Sequence, residues 1–457
     1  MKNTIKKMGL LLATVIMAVL LTVSASAKEI APTGQCGDNV YWTFDVTSGE
    51  LIISGTGAMY DYSYYESPFS SSAVKSLVIE SGVTTIGDRA FIGYCTNLEN
   101  VSIPDSVISI GYESFLCCES LKKITIPDSV NAIGIHAFGY CYDLECVELG
   151  IGITNIEYAT FYGCESLKKI IIPNEVETIS EIAFGNCYSL ESLTIGDNVK
   201  TIERSAFSNC ISLVEVTLPD TVKKVGGSAF ENCISLTSVT MGNGISSIED
   251  STFAYCISLE DINIPRNVKN IGKKTFLGCF SLKDVVISEN VEQIEEEAFY
   301  GCISLQKILI KNPKIDLNAA GICYTKFLVN NISTEAFIKL YKEMKGYVYS
   351  GNYNKADELS KQIDSYVIVS ESKLPNLTIF GYDPSTAKVY AEANNIPFKA
   401  LNDTTDNPIT PDTPSEPDED CHCNCHAGGI KAFFFKFINF FEKLFGKNKI
   451  CACGVKH

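Results

Sequence analysis

From Cys95 to Cys302 every twenty-third residue is a cysteine, each with a leucine three residues on and a phenylalanine three residues back, or four in the first copy. The phenylalanines are Phe91, Phe115, Phe138, Phe161, Phe184, Phe207, Phe230, Phe253, Phe276 and Phe299. A period kept over ten copies means a stack of equivalent units, each too small to bury its own apolar surface without its neighbours. Such a stack grows along one dimension, so the 457 residues need not divide at the usual domain size.

One unit, Leu121 to Cys141, carries the local rules. Leu121, Ile124 and Ile126 alternate with polar residues in the manner of a short strand, with Thr125 pointing outward. Pro127-Asp128 turns the chain, because proline fixes φ and cannot continue a ladder. Val130 and Ile133 begin a second inward-facing segment, and Ala137-Phe138-x-x-Cys141 fills the remaining wall. The residue before each phenylalanine is always small (Ala90, Ser114, Ala137, Thr160 and so on), as close approach of coils requires. Parallel strands about 4.8 Å apart would make a ten-rung ladder about 45–50 Å long.

Nineteen cysteines in an exported chain would ordinarily point to disulfides. Here the ladder cysteines occupy one position of each unit. Equivalent side chains in a stack point the same way, which disfavours the disulfide dihedral even where the rung spacing permits the Cα distance. The spacing therefore predicts buried thiols that act as small apolar residues. Cys36, Cys117, Cys146 and Cys323 lie off the ladder.

The pattern resembles the BspA-like subclass of leucine-rich repeats, whose unit runs V-x-x-I-G-x-x-A-F-x-x-C-x-x-L-x-x-V-x-I-P. One copy reads Val176-x-x-Ile179, Ala183-Phe184-x-x-Cys187, Leu190-x-x-Leu193-x-Ile195. The flanks are similar too: Cys36 to Gly57, with Trp42, resembles the hairpin that precedes such arrays, and Leu377 to Leu401 resembles their closing segment. The resemblance implies a β-rich repeat solenoid of BspA-type leucine-rich repeats with a 23-residue period, an N-terminal β-hairpin cap, a helical insertion near the C-terminal cap and a short helical tail. It also implies a surface or secreted protein, as members of the family are in bacteria and some protists, several of them implicated in adhesion to host or matrix proteins; binding of protein or glycan ligands is the role expected here.

The expected organisation is a signal peptide at 1–27, an N-terminal β cap at 28–72, the solenoid at 73–311, a helical insertion and C-terminal cap at 312–401, a linker at 402–420 and a tail at 421–457. Lys2, Lys6 and Lys7 precede an apolar run and an Ala25-Ser26-Ala27 cleavage site, the pattern of secretion, with an uncleaved anchor as the rival reading. Residues 333–369 carry helical spacing (Phe337, Leu340, Tyr341 and Met344, then Leu359 and Ile363), read as a helical hairpin serving as a cap or spacer, or else binding a partner. The linker is Pro, Thr and acid, with seven carboxylates and no basic residue, so it buries no core.

In the tail, Phe433, Phe434, Phe437, Phe441 and Phe445 share one face of a helix that is too short and too charged to span a bilayer. That helix would lie in a membrane interface or pack on an envelope partner. Cys421, Cys423, Cys425, Cys451 and Cys453 flank it, and stapling by disulfides, metal binding and covalent or redox attachment remain open for them. The tail resembles cysteine- and aromatic-rich C-termini of exported proteins from Gram-positive bacteria of the gut. With no sortase or lipid signal in the chain, envelope retention is its expected role.

A net charge of −17 argues against a nucleic-acid partner, which calls for a basic face. No catalytic residue is assigned and no cofactor is expected. His136 is the one histidine of the body and has no fixed partner, so it reads as a solvated surface residue. Glu295-Glu296-Glu297 reads as an exposed charge run. A carbohydrate-active enzyme built from solenoid carboxylates is the remote alternative, and a purely structural surface spacer is another. The candidate binding surface is the outward strand position of each unit: Thr125, Glu148, Ile171, Thr194, Thr217, Thr240 and Asn263, continued by Val286 and Leu309 as apolar rungs.

Overall fold

The computed structural model of the protein describes residues 30–401, except 65, 94, 319, 321–323, 330–333, 350–351, 374–376, 382 and 384. The expected signal peptide, linker and tail, with Cys421, Cys423, Cys425, Cys451, Cys453, Phe433, Phe434, Phe437, Phe441 and Phe445, lie outside the described residues. The chain divides into two compact units, Met1–Leu190 and Glu191–His457.

The first unit opens with three antiparallel strands, β1 (Thr33–Gly37), β2 (Val40–Asp45) and β3 (Glu50–Gly55). Strand β2 alternates buried Val40, Trp42 and Phe44 with exposed Tyr41, Thr43 and Asp45. Strand β3 then pairs in parallel with Ser76–Ile79, placing Leu51 beside Leu77 and Ile53 beside Ile79. This converts a hairpin into the first rung of a parallel ladder that continues through Asn100–Ser102, Lys123–Thr125, Cys146–Glu148 and Lys169–Ile171. Each of these later strands is three residues long. In the Lys123–Thr125, Cys146–Glu148 and Lys169–Ile171 strands the middle residue is buried and the outer two exposed. A second wall of two-residue strands includes Ser109–Ile110 and Ala132–Ile133, which pair in register.

The third wall has no strand, yet it is hydrogen-bonded from coil to coil. Phe91 N–H donates to the Ser114 carbonyl, Phe115 to Ala137, Phe138 to Thr160 and Phe161 to Ala183, at 2.8–2.9 Å. Two residues per unit adopt the left-handed region, for example Glu113 (φ 52°) and Cys117 (φ 61°), then His136 (φ 55°) and Tyr140 (φ 58°). These corners wrap the chain around the phenylalanine. The rings of Phe91, Phe115, Phe138, Phe161 and Phe184 stack at centroid distances of 5.1–5.5 Å with their planes within 17° of parallel. The ladder starts one rung earlier than its cysteines: Phe69 stacks on Phe91 at 5.3 Å, and Trp42 closes the column edge-on at 5.2 Å. Burying each ring contributes about 2–3 kcal/mol.

The ladder thiols do more than fill space. Cys118 Sγ donates to the Phe91 carbonyl at 3.4 Å, Cys141 to Phe115 at 3.3 Å and Cys164 to Phe138 at 3.3 Å. Each thiol thus ties one coil to the preceding one through a weak bond. Among the described residues the cysteines form no disulfide.

The second unit repeats the same coil through Ser192–Thr194, Glu215–Leu218, Ser238–Met241, Asp261–Asn263, Asp284–Ile287 and Lys307–Ile310. Its rings, from Phe207 to Phe299, stack at 5.2–5.8 Å. The strands Thr378–Gly381 and Phe398–Ala400 extend the ladder in parallel and close it. Between Lys307–Ile310 and that closure lie the antiparallel strands Tyr324–Val329 and Val367–Lys373, and the helices α1 (Thr334–Tyr349) and α2 (Tyr353–Tyr366). Helix α3 (Thr386–Ala393) is capped by Ser385, whose Oγ accepts the Lys388 N–H at 3.1 Å.

Helices α1 and α2 lie against the side of the coils. Tyr341, Met344, Val348, Ala356, Leu359 and Ile363 form one apolar cluster with Ile234, Ile257 and Phe280. Those three follow ladder cysteines directly, so the helices pack on a column of the solenoid. Lys345 is buried in this interface, and burial pulls its ammonium down to about 8 against the opposing pull of Glu231.

Candidate functional site

The outward strand positions are placed by the alternation of the short strands. In the first unit Thr125, Glu148 and Ile171 are exposed, Ile171 by 55%. In the second unit Thr194, Thr217, Thr240 and Asn263 are exposed, with Thr217 directly beside Thr240 in register. The backbone thus presents one side chain per rung at the strand spacing, on a regular surface.

Two of these residues are already engaged. Glu148 accepts the Thr125 hydroxyl at 2.7 Å and the Lys123 ammonium at 2.7 Å across adjacent strands. These two bonds hold its carboxylate below the usual range. Both ends of the ion pair are more than half exposed, so it orders the rungs and adds little stability.

The apolar end of the surface is corrected. Val286 is half-buried and Leu309 is buried, so neither is presented. Leu309 sits in register between Val286 and Phe380 of the closing strand, where apolar neighbours shield one another. The exposed stripe of the second unit therefore ends at Asn263.

His136 is also corrected. It is half-buried with its ring edge-on to Tyr158 at 5.3 Å. Burial pulls its pKa below the ordinary value, and Glu113 opposes that shift. It is a half-buried ring packed on the next coil, where a solvated residue was expected. The Glu295-Glu296-Glu297 run is tied into the rungs: Lys273 meets Glu296 at 3.8 Å and Lys274 meets Glu297 at 3.4 Å.

Two features were not singled out from sequence. One is the position after each ladder cysteine, which is aliphatic or aromatic in the second unit (Ile211, Ile234, Ile257, Phe280, Ile303) and carries the helices. In the first unit the same position reads Thr96, Glu119, Tyr142, Glu165 and Tyr188. The other is a buried carboxylate at the first corner: Glu113 accepts the Tyr64 hydroxyl and the Arg89 Nε–H, each at 2.8 Å. The Arg89 guanidinium is sandwiched between Tyr64 and Tyr112, at 4.4 and 4.6 Å. Among the described residues no cluster of three or more His, Cys, Asp or Glu side chains is arranged to hold a metal. Among them, too, no helix is long and apolar enough to cross a membrane.

The sequence profile of the BspA type leucine rich repeat region matches six copies, over residues 63–191 and 177–306. That span is more than half of the chain. The protein belongs to the BspA-type leucine-rich-repeat family. Its coil, with the stacked Phe and Cys ladder, is the three-dimensional form of that repeat. A leucine rich cell surface protein from Faecalibacterium prausnitzii A2-165 is 26% identical, covering 62% of this chain and 96% of its own, with a TM-score of 0.38. A leucine-rich repeat protein from Bacteroides ovatus is 25% identical over 60% of this chain and 94% of its own, with a TM-score of 0.36. The pneumococcal vaccine antigen PcpA is 15% identical over 82% of this chain and all of its own, with a TM-score of 0.39. No curated protein matches the chain. Membership of the BspA-type family is consistent with a protein-interaction role.

Proposed function

We propose that this BspA-type protein is an exported, non-enzymatic cell-surface protein of a Gram-positive bacterium that binds protein or glycan ligands through its outward strand positions. The observation that carries this reading is the exposure, at one position per rung within each unit, of Thr125, Glu148 and Ile171 in the first and of Thr194, Thr217, Thr240 and Asn263 in the second. A weakly polar surface with a fixed repeat suits an extended ligand, since several small contacts add along it at no cost in backbone ordering. Buried positions such as Phe138 and Cys141 are excluded from recognition by their lack of exposure. The Phe-rich tail at 421–457 retains the protein at the envelope.

The test is capture on protein and glycan arrays by the full chain and by Thr194→Arg with Thr217→Arg. The double substitution should abolish capture while leaving thermal unfolding unchanged. Capture unaffected by the substitution would place the binding surface elsewhere, and no capture at all would favour a structural spacer. Deleting residues 421–457 should release the protein from cells, and an unchanged cell-bound fraction would refute the retention role.

A further inference from the structure

The lateral column that the helices cover in the second unit carries a different chemistry in the first. Tyr140, at a left-handed corner, meets Tyr162 at 5.2 Å with the rings 85° apart and Tyr142 at 6.2 Å with the rings 68° apart. All three rings are half-buried. They lean on the next coil because it offers glycine: a Cβ at Gly163 would lie 3.1 Å from the Tyr140 ring, and one at Gly185 would lie 3.1 Å from Tyr162. Asn186 Nδ2 donates to the Tyr162 hydroxyl at 2.7 Å and fixes that ring. Three rings of different orientation therefore form a rigid corner.

A carboxylate borders the corner. Glu165 follows Tyr142 by one rung in the same column, and Glu119 precedes it. Burial, then Cys117, Glu165 and Glu119, push the Tyr142 phenol up to about 12. Among the described residues no hydrogen-bond donor or cation meets the Glu165 carboxylate, and burial alone pushes its pKa up to about 7. A half-buried carboxylate without a counter-charge, one rung from Tyr142 in the same column, is matched by a positive ligand and not by an anion.

We propose that the Tyr140, Tyr142 and Tyr162 corner with Glu165 is a binding site for an organic ammonium group. The rings supply cation–π contact with the ammonium and Glu165 supplies the ion pair. This site is independent of the outward strand surface, and its occupant is a cationic side chain or an aminated small molecule.

The test is a calorimetric titration of the full chain with tetramethylammonium chloride, against the neutral isostere tert-butanol at matched ionic strength. Nα-acetyl-lysine methylamide and glucosamine serve as further arms, to separate a peptide source from a sugar source. Tetramethylammonium should bind in the millimolar range, up to about 100 mM being sampled, and tert-butanol should not. If the cation binds only the ionised site, a group titrating near 7 makes binding about tenfold weaker at about pH 6 than at about pH 8. Glu165→Gln should remove that pH dependence. Tyr140→Leu should weaken binding by about fivefold or more, with the fold checked by circular dichroism. Thr194→Arg with Thr217→Arg should leave the titration unchanged. Equal binding of tert-butanol, no binding of any cation, or unchanged affinity in both the Tyr140 and Glu165 variants would overturn the proposal.

Discussion

Phe138 offers a direct measure of how much the stacked column contributes. Its ring has no exposure and lies between Phe115 at 5.3 Å and Phe161 at 5.5 Å, within 5° of parallel to both. Truncation of a core phenylalanine to alanine costs about 3–5 kcal/mol through lost transfer energy and the cavity left behind. Each stacked aromatic pair adds about 0.5–1.5 kcal/mol beyond area. With two such neighbours, Phe138→Ala should lose about 4–5 kcal/mol, near the top of that range. Phe138→Leu keeps most of the apolar volume and loses only the stacking and some shape, so about 1–2 kcal/mol is expected. Urea denaturation gives the two losses by linear extrapolation, and hydrogen exchange should show faster opening centred on residues 115–161. Equal losses for the two variants, or a loss below about 1 kcal/mol for alanine, would refute the claim that the column is a continuous packed stack.

Further consequences can be measured separately. Burial raises the ladder thiols, Cys95 up to about 12 and Cys118 and Cys164 well above the ordinary value of 9.0. The folded state therefore keeps protons that the unfolded state loses, so stability is full below about pH 9 and falls as pH rises towards the folded values, each thiol adding up to about 1.4 kcal/mol per pH unit. The denaturation free energy followed upward from neutral pH should show this steep decline, and Cys118→Ala should reduce the slope by one proton. Glu113→Gln weakens two charge-assisted bonds, to Tyr64 and to Arg89, and should cost about 2 kcal/mol in thermal unfolding, discounted for the partial exposure of Arg89. Ile257 is fully buried against the helices, so Ile257→Lys should accelerate hydrogen exchange in α1 and α2 while sparing the Phe253 to Phe299 column.

The coil was legible because its rules are local and repeat. Small residue, ring, thiol and leucine recur at fixed offsets, and Phe115, Cys118 and Leu121 all lie where the period places them. Phe69 escaped that reading because it lies 22 residues before Phe91 with no cysteine after it; the stack on Phe91 identifies it. Leu309 was misplaced because alternation reports which side of a strand a residue takes, while the closing strand that shields it lies about seventy residues on. His136 was misread for a related reason: its packing partner Tyr158 is on the next coil. The docking column of Ile234, Ile257 and Phe280 was present as a run of apolar residues after cysteine, but its meaning depends on helices about 60 to 130 residues away in sequence.

Recognition by the outward strand positions is decided by hydrogen exchange on the full chain, with and without a ligand captured on the arrays. Protection should appear at Ser192–Thr194, Glu215–Leu218 and Ser238–Met241, rung after rung, and should vanish in the Thr194→Arg and Thr217→Arg variant. Protection confined to α1 and α2, or to the turns between strands, with those three strands unchanged, would contradict it.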